Sequence, residues 1–552
     1  MFSSHEPTDR RVTPELFATL LIVLAYIVWI FSLPAWPSQD GPIHLYYTLV
    51  LRALFSHADT SYARFYTIKH LFPPYSLYYY ALLGLSHFVS ILAADRLIVC
   101  VYVVSFVFGF RYFSRALGAT ADSMTLLCTL LLLNWSLGMG FVNFCLSLSF
   151  VFWALGIWLR FTSRTAYRAR IGFLLLAILT MFTHPVPLLL LLGIASLDLV
   201  TRFFANRRRN QRTPQLVLNF ITLALAGSTL GYVKRFTNSR PLQQTSVGEE
   251  HVSFATRIAH NIANYSTEKG MAFLSGPGFE LRLYRVLLLA VLVVPLALAM
   301  LQFVRNRKKH RFTASDGMLI LGIVFMVVLP FVPSDLNGSH FFSNRLLLFA
   351  WIFALLAGSG ARMGARLRAG LMVFAIIAQG IVLHAANRSL RPAANSIASI
   401  DAAQAPIASR PGDPGLLLED LRPLNAPAGL SFDPYLWAAV NVFRHDNSVL
   451  ANTPWLDLAI IPLGATPQLP ASSLKPEGLE FPSILRAELA ADPSSREALL
   501  NSVDFLVIEQ AYRSPASGLD PVLQGGPWSA WQCRTANPSW IRVCDKEAGQ
   551  LH

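Results

Sequence analysis

Residues 73–93 read "PPYSLYYYALLGLSHFVSILA", and whether this run crosses a membrane sets the sidedness of everything after it. It is about as long as a transmembrane helix, yet its Tyr-rich start suits the membrane–water interface. Loop charge weighs between the two. The clusters Arg10/Arg11, "RYFSR" (111–115), "RFTSRTAYRAR" (160–170), "RFFANRRRNQR" (202–212), "RNRKKHR" (305–311) and "RMGARLR" (362–368) together hold 21 Lys and Arg, whereas the short loops 138–141, 184–185 and 334–344 hold none. Lys and Arg collect in cytoplasmic loops, and all six clusters share that side only if 73–93 does not cross. The sequence therefore predicts a helix lying in the outer interface over 73–93, and a second over "IHLYYTLVLRALFSH" (43–57), whose apolar residues recur at helical spacing. The alternative, in which 73–93 spans and a weaker segment does not, stays open, because short apolar runs are ambiguous.

The rest of the chain fits this frame. Of 552 residues, 54% are hydrophobic and 14% charged, and the mean hydropathy is +0.47, the composition of a polytopic membrane protein. Apolar runs near 14–34, 97–110, 122–137, 142–160, 171–183, 186–203, 216–233, 286–304, 317–333, 346–361 and 369–386 predict about eleven spans. The first has no small-residue cleavage pattern at its end and reads as a retained helix, not a signal peptide. The net charge of +14 does not indicate nucleic acid. Residues 1–387 carry 33 Lys and Arg against 14 Asp and Glu, and residues 388–552 carry 12 against 17, so the positive charge belongs to the membrane half and reflects topology.

The expected architecture is a polytopic α-helical membrane protein with outer juxtamembrane helices over 1–387 and a small extracytoplasmic α/β domain over 388–552. The stretch "LRPAANSIASIDAAQAPIASRPGDPG" (390–415) reads as a linker. Strand-like segments, "LEDLRPLNAPAGLSF", "DFLVIEQ" and "WIRVC", alternate with helical ones such as "SREALLNSV". Cys533 and Cys544 flank "RTANPSWIRV" and pair as a disulfide if this tail lies in an oxidising compartment; two reduced thiols are the other reading.

The outer side gathers the chemistry. Asp40 follows the first span in "WPSQDGPIHLYYT" (36–48), where a carboxylate at the membrane edge either faces a watery cavity or is an ordinary turn residue before Gly-Pro. His44 lies one helical turn further on the same face. His184, in "MFTHPVP", falls at the outer end of a helical hairpin. In "SDLNGSHFFSNRLLLFAW" (334–351), Asp335, His340 and Arg345 precede or begin an apolar helix. A cation at a helix start opposes the helix dipole, so Arg345 calls for an anion, although an interfacial arginine whose head snorkels to water is common. Arg96 stands at the start of the second span. The basic loops carry no phosphate-binding glycine motif and no cytoplasmic domain that would hold a soluble nucleotide donor.

These pieces resemble the GT-C family of membrane glycosyltransferases, which includes protein O-mannosyltransferases and lipid A aminoarabinose transferases. "QDGPIHLYY" (39–47) looks like their acidic first-loop motif. "FPPYSLYYYALLGL" (72–85) with "ADRLIVCVYVVSFVFGFRYFSRALG" (94–118) looks like their Pro-Pro juxtamembrane helix and second span, and "THPVPLLLLLG" (183–193) is similar to a later turn. The resemblance covers about residues 14–390. It implies transfer of a sugar from a polyprenyl-phosphate donor to a lipid, glycan or protein acceptor on the outer, periplasmic face of a bacterial inner membrane, with the N-terminus cytoplasmic. Asp40 would be the catalytic carboxylate. Arg345 and His340 would meet the lipid phosphate, with Arg96 behind them, and His44, His184 and Asp335 would contact substrate. No cofactor is implied. "NWSLGMGFVNF" (134–144) lacks the second carboxylate that many members carry, which weighs against a metal-dependent mechanism while leaving a divalent metal open. A transporter or lipid-handling protein is the other class, but it would place charges near the bilayer midplane and show inverted repeats, and neither is seen.

Overall fold

The computed structural model describes residues 13–56, 66–68, 71–119, 121–161, 166–208, 214–238, 258–259, 272–274, 279–309, 313–332, 342–402, 415–417, 460–462, 505–509, 519–525 and 528–533. Among these, eight helices are long and apolar enough to cross a membrane: Pro14–Ser32, Ile91–Ala116, Val142–Phe161, Pro185–Phe204, Pro214–Arg235, Phe279–Lys308, Ala314–Phe331 and Ala365–Asn395. The protein is an integral membrane protein.

Contacts divide the chain into two units. The first comprises Met1–Ser32, Val99–Leu137 and Val142–Asn387; the second comprises Leu33–Ile98, Gly138–Phe141 and Arg388–His552.

In the first unit α1 (Pro14–Ser32) is joined to the rest by a buried polar chain. Tyr26 Oη donates to Gln379 Oε1 at 2.9 Å, and Gln379 Nε2 donates to Thr129 Oγ1. The C-terminal part of α4 (Ile91–Ala116) packs on α7 (Val142–Phe161). Gly156 makes their closest approach: a Cβ there would lie 2.3 Å from the Tyr112 ring, which is how small residues let membrane helices meet. Phe106 and Phe110 both stack on Phe152 along the same seam. α7 turns back into α8 (Tyr167–Thr183), followed by α9 (Pro185–Arg208), α10 (Pro214–Asn238), α11 (Phe279–Lys308), α12 (Ala314–Val328), α13 (Phe342–Gly358) and α14 (Ala365–Ala402).

Two expectations need correction. The run 122–137 is not one spanning helix. It breaks into α5 (Ser123–Cys128), a 3-10 turn (Thr129–Leu131) and α6 (Trp135–Gly138), and it is buried throughout. Broken backbone survives in an apolar setting only where protein surrounds it and satisfies its polar groups. Here Tyr102 Oη donates to the Leu132 carbonyl, Tyr284 Oη donates to the Leu133 carbonyl, and the Asn134 amide donates to the Leu131 carbonyl. Residues 272–274 return into this packing and are buried, with Ala272 bridging to Asn134. The expected linker over 390–415 begins as helix: α14 continues to Ala402 with Pro392 inside it. The runs 171–183 and 346–361 lie on the 17-residue helices α8 and α13, at the short end of the length that can cross a membrane.

In the second unit, 73–93 resolves into a ten-residue helix, α3 (Ser76–Leu85), a turn, and the start of α4. Ten residues rise about 15 Å, half a bilayer core, so α3 does not cross. It packs on α2 (Gly41–Phe55), the helix expected over 43–57. The first-loop strand β1 (Tyr66–Ile68) pairs antiparallel with β3 (Ile460–Pro462). A four-stranded sheet has the order β2 (Gly415–Leu417), β4 (Phe505–Glu509), β6 (Trp528–Cys533), β5 (Leu519–Gly525), with β2 parallel to β4 and the other pairs antiparallel. "DFLVIEQ" is a strand as expected, whereas "LEDLRPLNAPAGLSF", "SREALLNSV", "WIRVC" and Cys544 lie outside the described residues, so the disulfide with Cys533 is not described.

Candidate active site

Two clusters hold the described candidates. In the second unit, Asp40 precedes α2, whose second residue, Pro42, suits a helix start. The Asp40 side chain does not cap that helix. Its backbone is instead clasped by the segment after α6: Gln39 N–H donates to the Gly138 carbonyl at 3.0 Å, and Asp40 N–H donates to the Met139 carbonyl at 3.1 Å. Gly140 holds φ at +89°, and a Cβ there would lie 2.9–3.1 Å from backbone atoms of Asp40 and Gly41. Glycine alone meets both conditions at low cost. The loop that lacks a second carboxylate thus fixes the first one by its backbone.

His44, one turn on, has Nδ1 2.8 Å from Tyr79 Oη. Burial pushes its pKa down to about 4, so the ring is neutral, and Nδ1 and the tyrosine hydroxyl share one hydrogen bond. Burial first, then Tyr47 and Asp40, push the Tyr79 hydroxyl up, keeping its proton. Tyr78 Oη donates to Asp95 Oδ1 at 2.7 Å, and Arg96 donates to the Leu33 and Leu92 carbonyls. Sequence reasoning missed Tyr79; its signal was only a run of three tyrosines, Tyr78–Tyr80, facing several ways.

In the first unit, His184 and Arg345 come together across 161 residues. His184 ends α8 in an extended conformation (φ −163°) and immediately precedes Pro185, the first residue of α9. The Ser147 hydroxyl donates to its carbonyl at 3.0 Å, and Phe144 meets its ring edge-to-face at 5.3 Å. Its Nδ1 lies 3.2 Å from the Val186 N–H, and its Nε2 lies 3.0 Å from Arg345 Nη1. His184 is 1% exposed and Arg345 4%. Burial, then the Arg345 charge, hold the imidazole well below the usual histidine range, so it is neutral.

A neutral imidazole has one accepting nitrogen, whereas a backbone N–H and a guanidinium only donate. One ring nitrogen of His184 therefore accepts, and the buried Arg345 guanidinium brings a full positive charge beside the ring. Asp335 and His340 lie outside the described residues. Among the described residues, no group of three or more His, Cys, Asp and Glu could hold a metal ion.

Among solved structures, ArnT from Cupriavidus metallidurans bound to undecaprenyl phosphate is similar over 93% of this chain and 97% of that chain, at 13% identity and a TM-score of 0.50. ArnT from the same organism in the apo state is similar over 95% and 98%, at 14% identity and a TM-score of 0.50. The likeness shows a GT-C-like fold. No family model and no curated protein matches the sequence.

Proposed function

We propose that the protein is a glycosyltransferase that moves a sugar from a polyprenyl-phosphate donor to an acceptor hydroxyl on the outer face of its membrane. The observation that carries this reading is the buried meeting of His184 Nε2 and Arg345 Nη1, 3.0 Å apart, in a chain of GT-C-like fold. Such a pair suits a phosphate oxyanion and lies at a helical turn bordered by apolar helices, where a lipid-borne phosphate arrives. That one neighbour of this fold was crystallised with undecaprenyl phosphate supports a donor of this class.

Asp40 accepts the proton of the attacking hydroxyl. The acceptor oxygen bonds to the anomeric carbon as the bond from that carbon to the phosphate oxygen breaks. Polyprenyl phosphate leaves with the extra negative charge, the kind of charge that the Arg345 guanidinium suits. The backbone clasp at Gly138 and Met139 supports the assignment of Asp40, because a catalytic carboxylate needs a fixed approach.

The test supplies the purified protein with radiolabelled polyprenyl-phosphate sugars and a panel of lipid, glycan and protein acceptors from the cell envelope. Transfer by wild type, lost in a folded Asp40→Asn protein, supports the reading; undiminished transfer by that variant removes Asp40 from the mechanism. Labelling of cysteines introduced at 116–119 from the outer side would overturn the proposed sidedness.

A further inference from the structure

Arg170 stands one turn into α8 and is 4% exposed. Its Nη1 donates to Thr222 Oγ1 of α10 at 3.1 Å, and its guanidinium lies 4.8 Å from the centre of the Phe161 ring. Nε and Nη2 are buried and have no acceptor among the described residues. Asp198 of α9 is already engaged, accepting from Arg202 Nε at 2.8 Å and Trp158 Nε1 at 2.9 Å. Arginine does not discharge by losing its proton, so a buried guanidinium without an anion is costly, and charges in membrane segments mark ligands or pathways.

The geometry narrows what the anion is. Nε and Nη2 form one edge of the guanidinium, the edge that takes two oxygens of a phosphate side by side. Nε and Nη2 are buried, while Tyr167 and Ile171, on the adjoining turns of α8, are exposed. On either side run exposed apolar stripes, Tyr167, Ile171 and Leu175 on α8 and Val217, Phe220 and Ile221 on α10, each 46–67% exposed. Apolar stripes flanking a phosphate-binding edge suit a lipid whose chains lie along the helices. We propose that Arg170 anchors the phosphate of an anionic phospholipid between α8 and α10. The site is separate from the His184–Arg345 pair, since Arg170 and His184 stand at opposite ends of α8, about 21 Å apart along it.

The test compares full-length wild type, Arg170→Gln and Arg170→Lys in detergent, with phosphatidylglycerol, phosphatidylcholine or inorganic phosphate added. Thermal unfolding is followed, and retained lipid is counted by native mass spectrometry. Wild type is expected to retain phosphatidylglycerol over phosphatidylcholine and to unfold at higher temperature with it. Arg170→Gln loses that preference, with retention falling about tenfold, the worth of one charge-assisted anchor. Arg170→Lys keeps the charge without the two-oxygen edge and retains an intermediate amount, which keeps the test alive if the glutamine variant does not fold. Equal response to the two lipids in wild type, an undiminished response in either variant, or full stabilisation by inorganic phosphate alone would overturn the proposal.

Discussion

Two clusters in the first unit pair arginine with a buried partner, in one a carboxylate and in the other a neutral histidine. At one, Asp122 accepts from Arg111 Nε at 2.9 Å, Arg115 Nη2 at 2.8 Å and Thr13 Oγ1 at 3.0 Å. Burial pushes the Asp122 carboxyl up, but hydrogen bonds and charge from Arg115 and then Arg111 outweigh it and hold it below the usual carboxylate range. At the other, Arg345 Nη1 lies 3.0 Å from Nε2 of the neutral His184. The first is a lock between helix ends. The second sets a cation beside an uncharged ring. The difference teaches that a buried arginine reads as structure or as function according to what its donors meet.

The largest expected effect separates the two. Arg345→Met is expected to lower transfer by about 10²–10³-fold, the cost of losing one preorganised oxyanion donor, while thermal unfolding is unchanged or shifts upward. A marked loss of stability with intact specific activity would make Arg345 structural and dissolve the contrast.

Next comes Asp122→Asn, which does the reverse. It is expected to cost about 2 kcal/mol of stability, discounted from the full cost of breaking a buried pair because Arg111 and Arg115 keep 32% and 19% exposure. Transfer per folded molecule stays at the wild-type level. A depressed carboxyl pKa stabilises above the unfolded value near 4 and is lost as pH falls through the folded value, so this contribution is present at neutral pH and disappears only in acid.

A smaller loss, on the order of 1–3 kcal/mol, is expected for Gly140→Ala from its left-handed backbone and its approach to Asp40. Because the Asp40 backbone shifts, transfer falls more than stability, a split read from activity per folded molecule.

The smallest effect is a pH slope. His44, lowered to about 4 in the fold, is neutral while the unfolded chain protonates near 6.5. Its contribution is full above that value and declines as pH falls from 6.5 toward 4. His44→Gln should flatten the thermal-stability profile across that window; an unchanged profile would show that the ring is not buried neutral.

Much of this was legible in the chain. Apolar run length marked most of the helices, and the Tyr-rich start of 73–93 together with loop charge favoured a segment that does not cross, in keeping with the ten residues of α3. Asp40 stood out as an acid where a span ends. The run 122–137 misled because hydropathy reports burial, not helical continuity, and this segment is buried by protein on every side. The Pro392 region misled in the opposite way: a composition of Pro, Ala and Asn suggested a linker, but α14 carries through it to Ala402.

The sequence by itself determined which segments are apolar enough for a membrane, where basic loops alternate with neutral ones, and that an acid follows the first span. Those are local properties, written in runs of ten to twenty neighbours. Only the tertiary structure decided that Met139 clasps Asp40, that residues 272–274 return to Asn134, and that His184 meets Arg345. Each joins residues from separate elements, the last pair 161 positions apart, and such contacts leave no periodic mark on the chain.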